Sequence, residues 1–327
     1  MRVLLTGGTG FLGKHVARAL HDAGHELRLL ARKSSSQDGL PDGERVVGDV
    51  TDAATLLRAA EGCGGVVHMA GLVKNWVPDA SRFDDVNLGG FKNALAAARA
   101  AKARLVYTSS FIAIGPTSEA PADETRVHAC DRFRNDYERT KALADRLACE
   151  AAAAGEDVVP VYPGVVYGPG EMTDANLVVK MIADHLHGRL PGIVGPGDRR
   201  WSYAFVDDVA RGHLLALERG ARGQRYFLCG ENATLNELFS KLAEVAGTPA
   251  PSRHIPYAAA TALGGLMYLW AELTGHPPQL THREVGVFRE HWAYSSAKAE
   301  RELGYRVTPL VEGLRRTVEW LRQTGRA

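Results

Sequence analysis

Tyr137-Glu138-Arg139-Thr140-Lys141 places a phenol and an ammonium four residues apart, on one face of any helix that carries them. A free tyrosine titrates at about pH 10, too high to exchange protons at neutrality. A neighbouring ammonium favours the phenolate and lowers that value. The pair could then pass a proton to or from a substrate oxygen; an ordinary surface helix pair is the alternative. Three hydroxyls, Thr108-Ser109-Ser110, follow the apolar run 104–107. At the C-terminal end of a parallel strand, where ligands sit, such a hydroxyl can donate to an oxygen as charge develops. Ser110 is the first choice, with Ser109 or Thr108 in reserve and a turn or helix-cap role as the alternative.

A second group of residues could hold a phosphate. Thr6-Gly7-Gly8-Thr9-Gly10-Phe11-Leu12-Gly13 follows the apolar run Val3-Leu4-Leu5 and opens a helical pattern at 14–23. Glycines allow a tight turn and close backbone approach, and the helix N-terminus offers free N–H groups to a pyrophosphate. The strand–turn–helix context is what gives this fingerprint weight. After the next strand the chain reads Leu30-Ala31-Arg32-Lys33-Ser34-Ser35, with no carboxylate to take a ribose 2′-hydroxyl. Arg32 and Lys33 point instead to a 2′-phosphate, and hence to NADP(H), with NAD(H) left open. Asp49 ends a third strand, where it could accept from an adenine amino group or simply form a turn.

These residues need a scaffold that brings strand ends together. Apolar runs at 3–5, 26–30, 45–49, 65–69, 104–107 and 158–162 alternate with helical patterns at 14–23, 53–60, 83–101 and 137–154. Such alternation implies βαβ units, right-handed crossovers and a doubly wound parallel sheet. The order weakens after about residue 167, and residues 235–323 read as mostly helical. The expected fold is therefore α/β, a Rossmann sheet with a smaller, mostly helical C-terminal substrate domain. The dinucleotide-binding domain is assigned 1–175 plus about 206–232, and the substrate domain about 176–205 and 233–327.

The chain has 327 residues, with 39 Lys+Arg against 38 Asp+Glu. That balance leaves no electrostatic footprint for nucleic acid. The four cysteines, Cys63, Cys130, Cys149 and Cys229, form no Cys-x-x-Cys pair, so no zinc site or disulfide framework is expected. His185-x-His187 gains no third ligand at suitable spacing, and no metal is expected. No basic region followed by a long apolar stretch opens the chain, so a cytoplasmic location is expected. The helical stretch 258–273 is apolar but short of a spanning length. Burial in the small domain is its expected fate, with a membrane contact or a homodimer helix as alternatives.

The motifs together resemble the extended short-chain dehydrogenases/reductases, the NAD-dependent epimerase/dehydratase superfamily. The matching elements are the 6–13 glycine turn, Gly48-Asp49-Val50, His68-Met69-Ala70-Gly71, Val86-Asn87, Tyr107–Ser110, Tyr137-x-x-x-Lys141, the run 162–170 and Val206-Asp207-Asp208-Val209. Across the whole chain the likeness is to plant farnesol dehydrogenase, hopanoid-associated sugar epimerases and dihydroflavonol-reductase-like proteins, carried by 107–111, 135–142, 188–192, 206–213, 229–233 and 302–305. The resemblance implies a catalytic trio at Ser110, Tyr137 and Lys141. It implies cofactor contacts from Gly7, Gly10, Phe11, Leu12, Gly13, Asp49, Val50, Ala70, Lys141, Pro163, Val165 and Val166, with Arg32 added from the basic turn. Farnesol dehydrogenase is regarded as NAD-using despite a similar turn, which keeps both dinucleotides open.

Nucleotide-sugar members of this group usually carry a diphosphate-binding arginine just before their Val-Asp-Asp-Val equivalent. Here Trp201 occupies that register, with Arg200 one residue away on the opposite face of a strand. This disfavours a sugar diphosphate. Trp76, Met172, Met181, Phe205, Met267, Tyr268 and Trp270 offer apolar lining for a small lipophilic substrate, three of them expected at a pocket. The expected activity is an NAD(P)-dependent alcohol dehydrogenase or carbonyl reductase. The alternatives are a nucleotide-sugar epimerase/dehydratase, a dinucleotide-sensing protein without turnover, and a lipid-pathway partner that has lost activity.

Overall fold

The computed structural model describes residues 1–128 and 133–326; Cys130 lies outside them. In chain order the elements are β1 (Arg2–Thr6), α1 (Phe11–Asp22), β2 (Glu26–Ala31), β3 (Glu44–Val47), α2 (Ala53–Ala60), β4 (Gly65–His68), α3 (Ser81–Phe83), α4 (Gly90–Ala101), β5 (Arg104–Thr108), α5 (Asp136–Ala153), β6 (Val158–Pro163) and β7 (Val165–Tyr167). There follow α6 (Leu177–Leu186), β8 (Ile193–Val194), β9 (Trp201–Phe205), α7 (Val206–Arg219), β10 (Tyr226–Leu228), β11 (Glu231–Ala233), α8 (Leu235–Ala246), β12 (His254–Ile255), α9 (Tyr257–Thr274), α10 (His282–Phe288), α11 (Ala297–Leu303) and α12 (Leu310–Gln323).

Strands β1 to β6 and β10 form a parallel sheet in the order β10-β6-β5-β4-β1-β2-β3. The central strands β1, β4, β5 and β6 are buried along nearly their whole length, as a parallel sheet covered by helices requires, whereas the edge strand β3 is largely exposed. Strand β1 lies between β2 and β4, with Thr6 opposite Leu30 on one side and His68 on the other. The crossovers leave β1 in opposite directions here, and the crevice beyond its C-terminal end is the switch point where such folds bind ligands.

Helix α1 buries Val16, Ala17 and Leu20 against the sheet, a spacing that follows from 3.6 residues per turn. Gly13 lets it approach: a Cβ there would lie 2.1 Å from the Gly7 carbonyl oxygen. The continuous helical pattern at 83–101 resolves differently. A π-helical segment, Asp84–Gly89, precedes α4. Its extra residue per turn aims Asn87 at the chain beyond β4, where Asn87 Oδ1 accepts from Leu72 N at 2.6 Å and Nδ2 donates to the Leu72 carbonyl and to Thr140 Oγ1. Such bulges concentrate at functional sites.

A smaller sheet, β11-β9-β7, stands beside the first. Its buried Trp201, Tyr203 and Phe205 join a core with α6, α8 and α12. Segment α7–β10 returns to the main sheet. Helix α11 returns with it, since Ala299, Leu303 and Tyr305 pack with Val3, Leu5 and Val16.

Helix α9 departs from expectation. Only Ala260, Gly264 and Ala271 are buried, and Leu266, Trp270 and Leu273 are 67%, 63% and 75% exposed. Its small residues are the ones that dock, with Gly264 against the backbone of Thr281 and His282. Leu263, Leu266, Leu269, Trp270 and Leu273 therefore face outward. Among the described residues, no helix is long and apolar enough to cross a membrane.

Candidate active site

A cavity of about 660 Å³ runs along the C-terminal edge of the parallel sheet. Its walls include Gly7, Gly10, Phe11, Leu12, Gly13, Arg32, Asp49, Val50, Ala70, Ser110, Tyr137, Lys141, Pro163, Val165 and Val166. These include the candidate trio and every cofactor contact that the family resemblance implies, with Arg32. Lys33 does not line it, whereas Ser35 does. The basic turn therefore presents one cation to the cavity, Arg32, rather than two.

At one end the glycine turn forms a cradle. Gly7 has φ of +76°, and a Cβ on it would lie 2.6 Å from Ala70 N. Gly10 caps α1 without a side-chain hydrogen bond, and the first turn holds no acidic residue. The opening amides of α1 thus have no side-chain acceptor of their own, the condition an anion at a helix N-terminus satisfies. The cradle fits a dinucleotide pyrophosphate. Asp49 also takes its turn role, since Oδ1 accepts from Thr51 N at 3.0 Å and Thr51 Oγ1 at 2.9 Å. Asp49 lines the cavity beside Val50.

At the other end the three hydroxyls after β5 divide their tasks. Thr108 Oγ1 pairs with His213 Nε2 at 2.9 Å. Ser109 Oγ donates to Asp145 Oδ1 at 3.1 Å. Ser110 Oγ accepts from Ile112 N at 3.4 Å, capping a short 3-10 turn, and acts to lower the Tyr137 hydroxyl beside it. Cap and candidate catalytic role coincide in Ser110, while its two neighbours are committed to buried partners.

Helix α5 starts at an Asn135 cap whose side chain accepts from Glu138 N at 2.8 Å. That start fixes Tyr137 in the first turn and Lys141 one turn later. Lys141 is only 5% exposed. Its Nζ donates to the Thr108 carbonyl at 2.8 Å and lies over the Tyr107 ring. Burial pushes Lys141 down to about 8, with the Asp145 charge acting the other way. Burial holds Tyr137 above its ordinary value, and Ser110 opposes that rise. This reverses the direction expected from the Tyr–Lys spacing. The Lys141 ammonium is drawn to the Thr108 carbonyl, so desolvation dominates at the phenol. His68, bonded to Thr6 Oγ1 at 2.8 Å, is pushed by burial and by Lys141 down to about 3 and stays neutral.

The rest of the lining is largely apolar, although Lys74, Asn75, Arg82 and Glu284 also stand in it. It includes Leu72, Val73, Phe111, Leu177, Trp201, Val287 and Phe288. None of the seven side chains offered as lining from the sequence reaches it. The last two come from α10, which carries no sequence signal of a site; α9 supports it from behind. The Trp201 ring stacks on Phe288 at 5.1 Å between centroids, and its Nε1 donates to the Glu290 carbonyl at 3.2 Å. Arg200 is absent from the lining. Its Nη1 donates to the Asn232 carbonyl at 3.3 Å and its Nη2 lies 3.7 Å from Glu237.

The chain is similar along nearly its whole length to known proteins. The chain is 31% identical to sterol demethylase protein B of Methylococcus capsulatus, over 99% of each chain. It is 32% identical to 2-alkyl-3-oxoalkanoate reductase of Stenotrophomonas maltophilia, over 97% of this chain and 98% of that protein. The UDP-glucose 4-epimerase of Thermus thermophilus, solved in complex with NAD, superposes with a TM-score of 0.75 at 26% identity, covering 98% and 99% of the two chains. Residues 3–230 match the NAD dependent epimerase/dehydratase family. That span takes in the glycine cradle, the hydroxyl-bearing end of β5 and the Tyr–Lys helix, and the chain belongs to this family of extended short-chain dehydrogenases/reductases.

Proposed function

We propose that this protein interconverts a lipophilic alcohol, of isoprenoid, flavonoid or steroid-like type, and its carbonyl, using NAD(P) and the trio Ser110, Tyr137 and Lys141. A bound nicotinamide supplies the hydride acceptor or donor. Tyr137 moves the proton: it gives one to a carbonyl oxygen in reduction and takes one from the alcohol in oxidation. Ser110 donates a hydrogen bond to that same oxygen and holds it beside Tyr137. Lys141, anchored on the Thr108 carbonyl, presents a positive charge that favours the phenolate as the proton leaves. A ribose hydroxyl of the dinucleotide is its implied partner. Two relatives whose names are those of a reductase and a sterol-processing protein fit the same chemistry.

The observation that carries the substrate class is the Trp201–Phe288 wall. A diphosphate needs well-aimed guanidinium groups for its strong acceptor oxygens. Arg200, one residue from the register where such an arginine is expected, is engaged with Asn232 and Glu237 and does not line the cavity. Burying apolar substrate against Trp201 contributes about 1–3 kcal/mol, whereas a diphosphate there loses water without replacement partners. Prenyl alcohols such as farnesol are therefore expected to reduce the dinucleotide stoichiometrically, read as absorbance at the reduced-nicotinamide band. UDP is expected to give no heat in calorimetric titration. Micromolar UDP binding with no absorbance change would replace this reading with a sugar epimerase.

For the dinucleotide we propose a preference for NADP(H), resting on Arg32 and Ser35 at the cavity and on the lack of a carboxylate at the end of β2. Arg32→Ala is expected to weaken NADPH binding about tenfold, one charge-assisted contact at an exposed site. NADH affinity should change less than about twofold. Fluorescence titration of both reduced cofactors reads this, and tighter NADH binding by the wild type would make Arg32 a solvated turn residue.

A further inference from the structure

Helix α9 carries a face that the rest of the chain leaves uncovered. At 3.6 residues per turn, Leu263, Leu266, Leu269, Trp270 and Leu273 share one arc, opposite the docked Ala260, Gly264 and Ala271. These five large side chains are between 49% and 75% exposed. An ordinary surface helix sets charged and polar residues on its outward face. Here only Ala259 and Ala262 fill the rest of the arc, and the one charged residue of α9 is Glu272. Glu272 is turned to the flank, where Oε1 accepts from Trp76 Nε1 at 2.6 Å.

A second copy of this chain or the surface of a bilayer could cover such a face, and the area separates them. Five side chains of this size and exposure offer about 500–600 Å² of apolar surface. A stable interface between proteins takes roughly 800 Å² per partner. The stripe 263–273 also spans fewer than two heptads, where a paired-helix seam needs at least about three. A bilayer sets no such minimum. An interfacial helix sinks its apolar side roughly 5–10 Å into the headgroup boundary, and Leu and Trp are the side chains that favour this. The surroundings suit that medium. Residues 255–271 carry no charge, whereas Arg253 precedes α9 and Arg289 lies over the Tyr257 ring at 5.1 Å. Both arginines are exposed, and anionic headgroups would meet them at the N-terminal end of the helix. Arg283, over the Tyr268 ring, is already shared with Asp136 at 3.3 Å.

We propose that α9 docks this protein on the surface of a phospholipid bilayer, lying in the interface without crossing it, with Leu263, Leu266, Leu269, Trp270 and Leu273 as the inserted side chains. The placement of α9 ties docking to the cavity. It packs on α10, whose Val287 and Phe288 line the cavity. Trp76, held by Glu272, follows directly on the lining residues 72–75. The apolar face and the substrate side of the cavity thus belong to one substructure, as suits a lipophilic substrate that arrives from lipid. That link to substrate rests on the function proposed above; the docking itself does not.

Vesicle flotation of the full chain tests this without any substrate. The vesicles are phosphatidylcholine with about one-third phosphatidylglycerol. The wild type is expected to float with them. The double variant Leu266→Glu, Trp270→Glu puts two charges on the inserted arc, and its partition onto vesicles should fall at least about tenfold. Its Tm and its affinity for reduced dinucleotide should match the wild type, because both side chains are exposed. Trp270 is also the most exposed of the five tryptophans. Vesicles made with brominated phosphatidylcholine should therefore quench the fluorescence of the wild type and not that of Trp270→Phe, which still floats. This pair carries the test if the charged variant fails to fold. A wild type that does not float or is not quenched overturns the proposal, as does a folded double variant that floats equally well. A dimer in light scattering that the double variant turns into a monomer, with no flotation, would make α9 an interface between copies instead. Flotation without oxidation of any alcohol would sink the functional reading and leave the docking in place.

Discussion

Tyr137→Phe is expected to lower turnover by a factor of about 10² or more while the affinity for reduced dinucleotide stays within about twofold. The substitution keeps the ring, which packs at the edge of the substrate-side core, and removes only the hydroxyl. The proposed cofactor contacts lie mainly along the glycine cradle and the strand ends, so they should survive. What disappears is the proton that must reach the substrate oxygen. Burial holds Tyr137 above its ordinary value, so the group is a phenol at neutral pH, the form that protonates a carbonyl. Ser110 remains able to donate to the same oxygen and should support the residual rate. Ser110→Ala should therefore cost less, roughly 10- to 100-fold, because it removes a hydrogen bond and leaves the proton donor. Single-turnover absorbance with a prenyl aldehyde and reduced cofactor measures both. Near-normal turnover in Tyr137→Phe would remove Tyr137 from the mechanism.

What could be read from the sequence was what local chain geometry determines. The glycine turn is a contiguous stretch whose constraints act between Gly7, Ala70 and Gly13 over a few ångströms. The Tyr–Lys pair is a spacing within one helical turn. The apolar runs that become β1 to β6 need no partner to be recognised. The parts that escaped depend on packing between distant segments. Helix α10 brings Val287 and Phe288 to a cavity whose other residues lie mostly far earlier in the chain. That Ser110 alone of the three hydroxyls has no buried side-chain partner depends on Asp145 and His213, which engage the other two. Lys33 and Arg32 are indistinguishable by composition, and only the course of the chain after β2 puts one at the cavity. The direction in which Tyr137 shifts follows from desolvation, which residue spacing does not report. On α9 an apolar pattern suggested burial, but the face that docks is its small residues, which allow close backbone approach where leucines would not fit.

Lys141→Met should abolish turnover and at the same time stabilise the fold near neutrality. Lys141 falls from 10.5 to about 8 because burial penalises its charge. Below about pH 8 the folded chain must carry that buried ammonium and bears the full penalty. Between about 8 and 10.5 the folded state releases its proton while the unfolded chain keeps one, so the wild type gains stability as pH rises through that window. Methionine has similar length and no charge to bury. Against its gain stand the lost hydrogen bond to the Thr108 carbonyl and the contact with the Tyr107 ring. The net expectation at pH 7 is a stabilisation of about 1 kcal/mol, a few degrees or less in Tm for a chain of this size. The difference between variant and wild type should shrink from about pH 8 upward, and that pH dependence is the diagnostic part. Denaturation curves for both proteins at neutral and alkaline pH, beside a turnover assay, decide the matter. A stability difference that does not change with pH would mean that Lys141 is not a strained cation, and an active Lys141→Met would mean that its charge does no work in the reaction. If both expectations hold, the fold tolerates a destabilising buried ammonium at this position for the sake of the proton chemistry beside it.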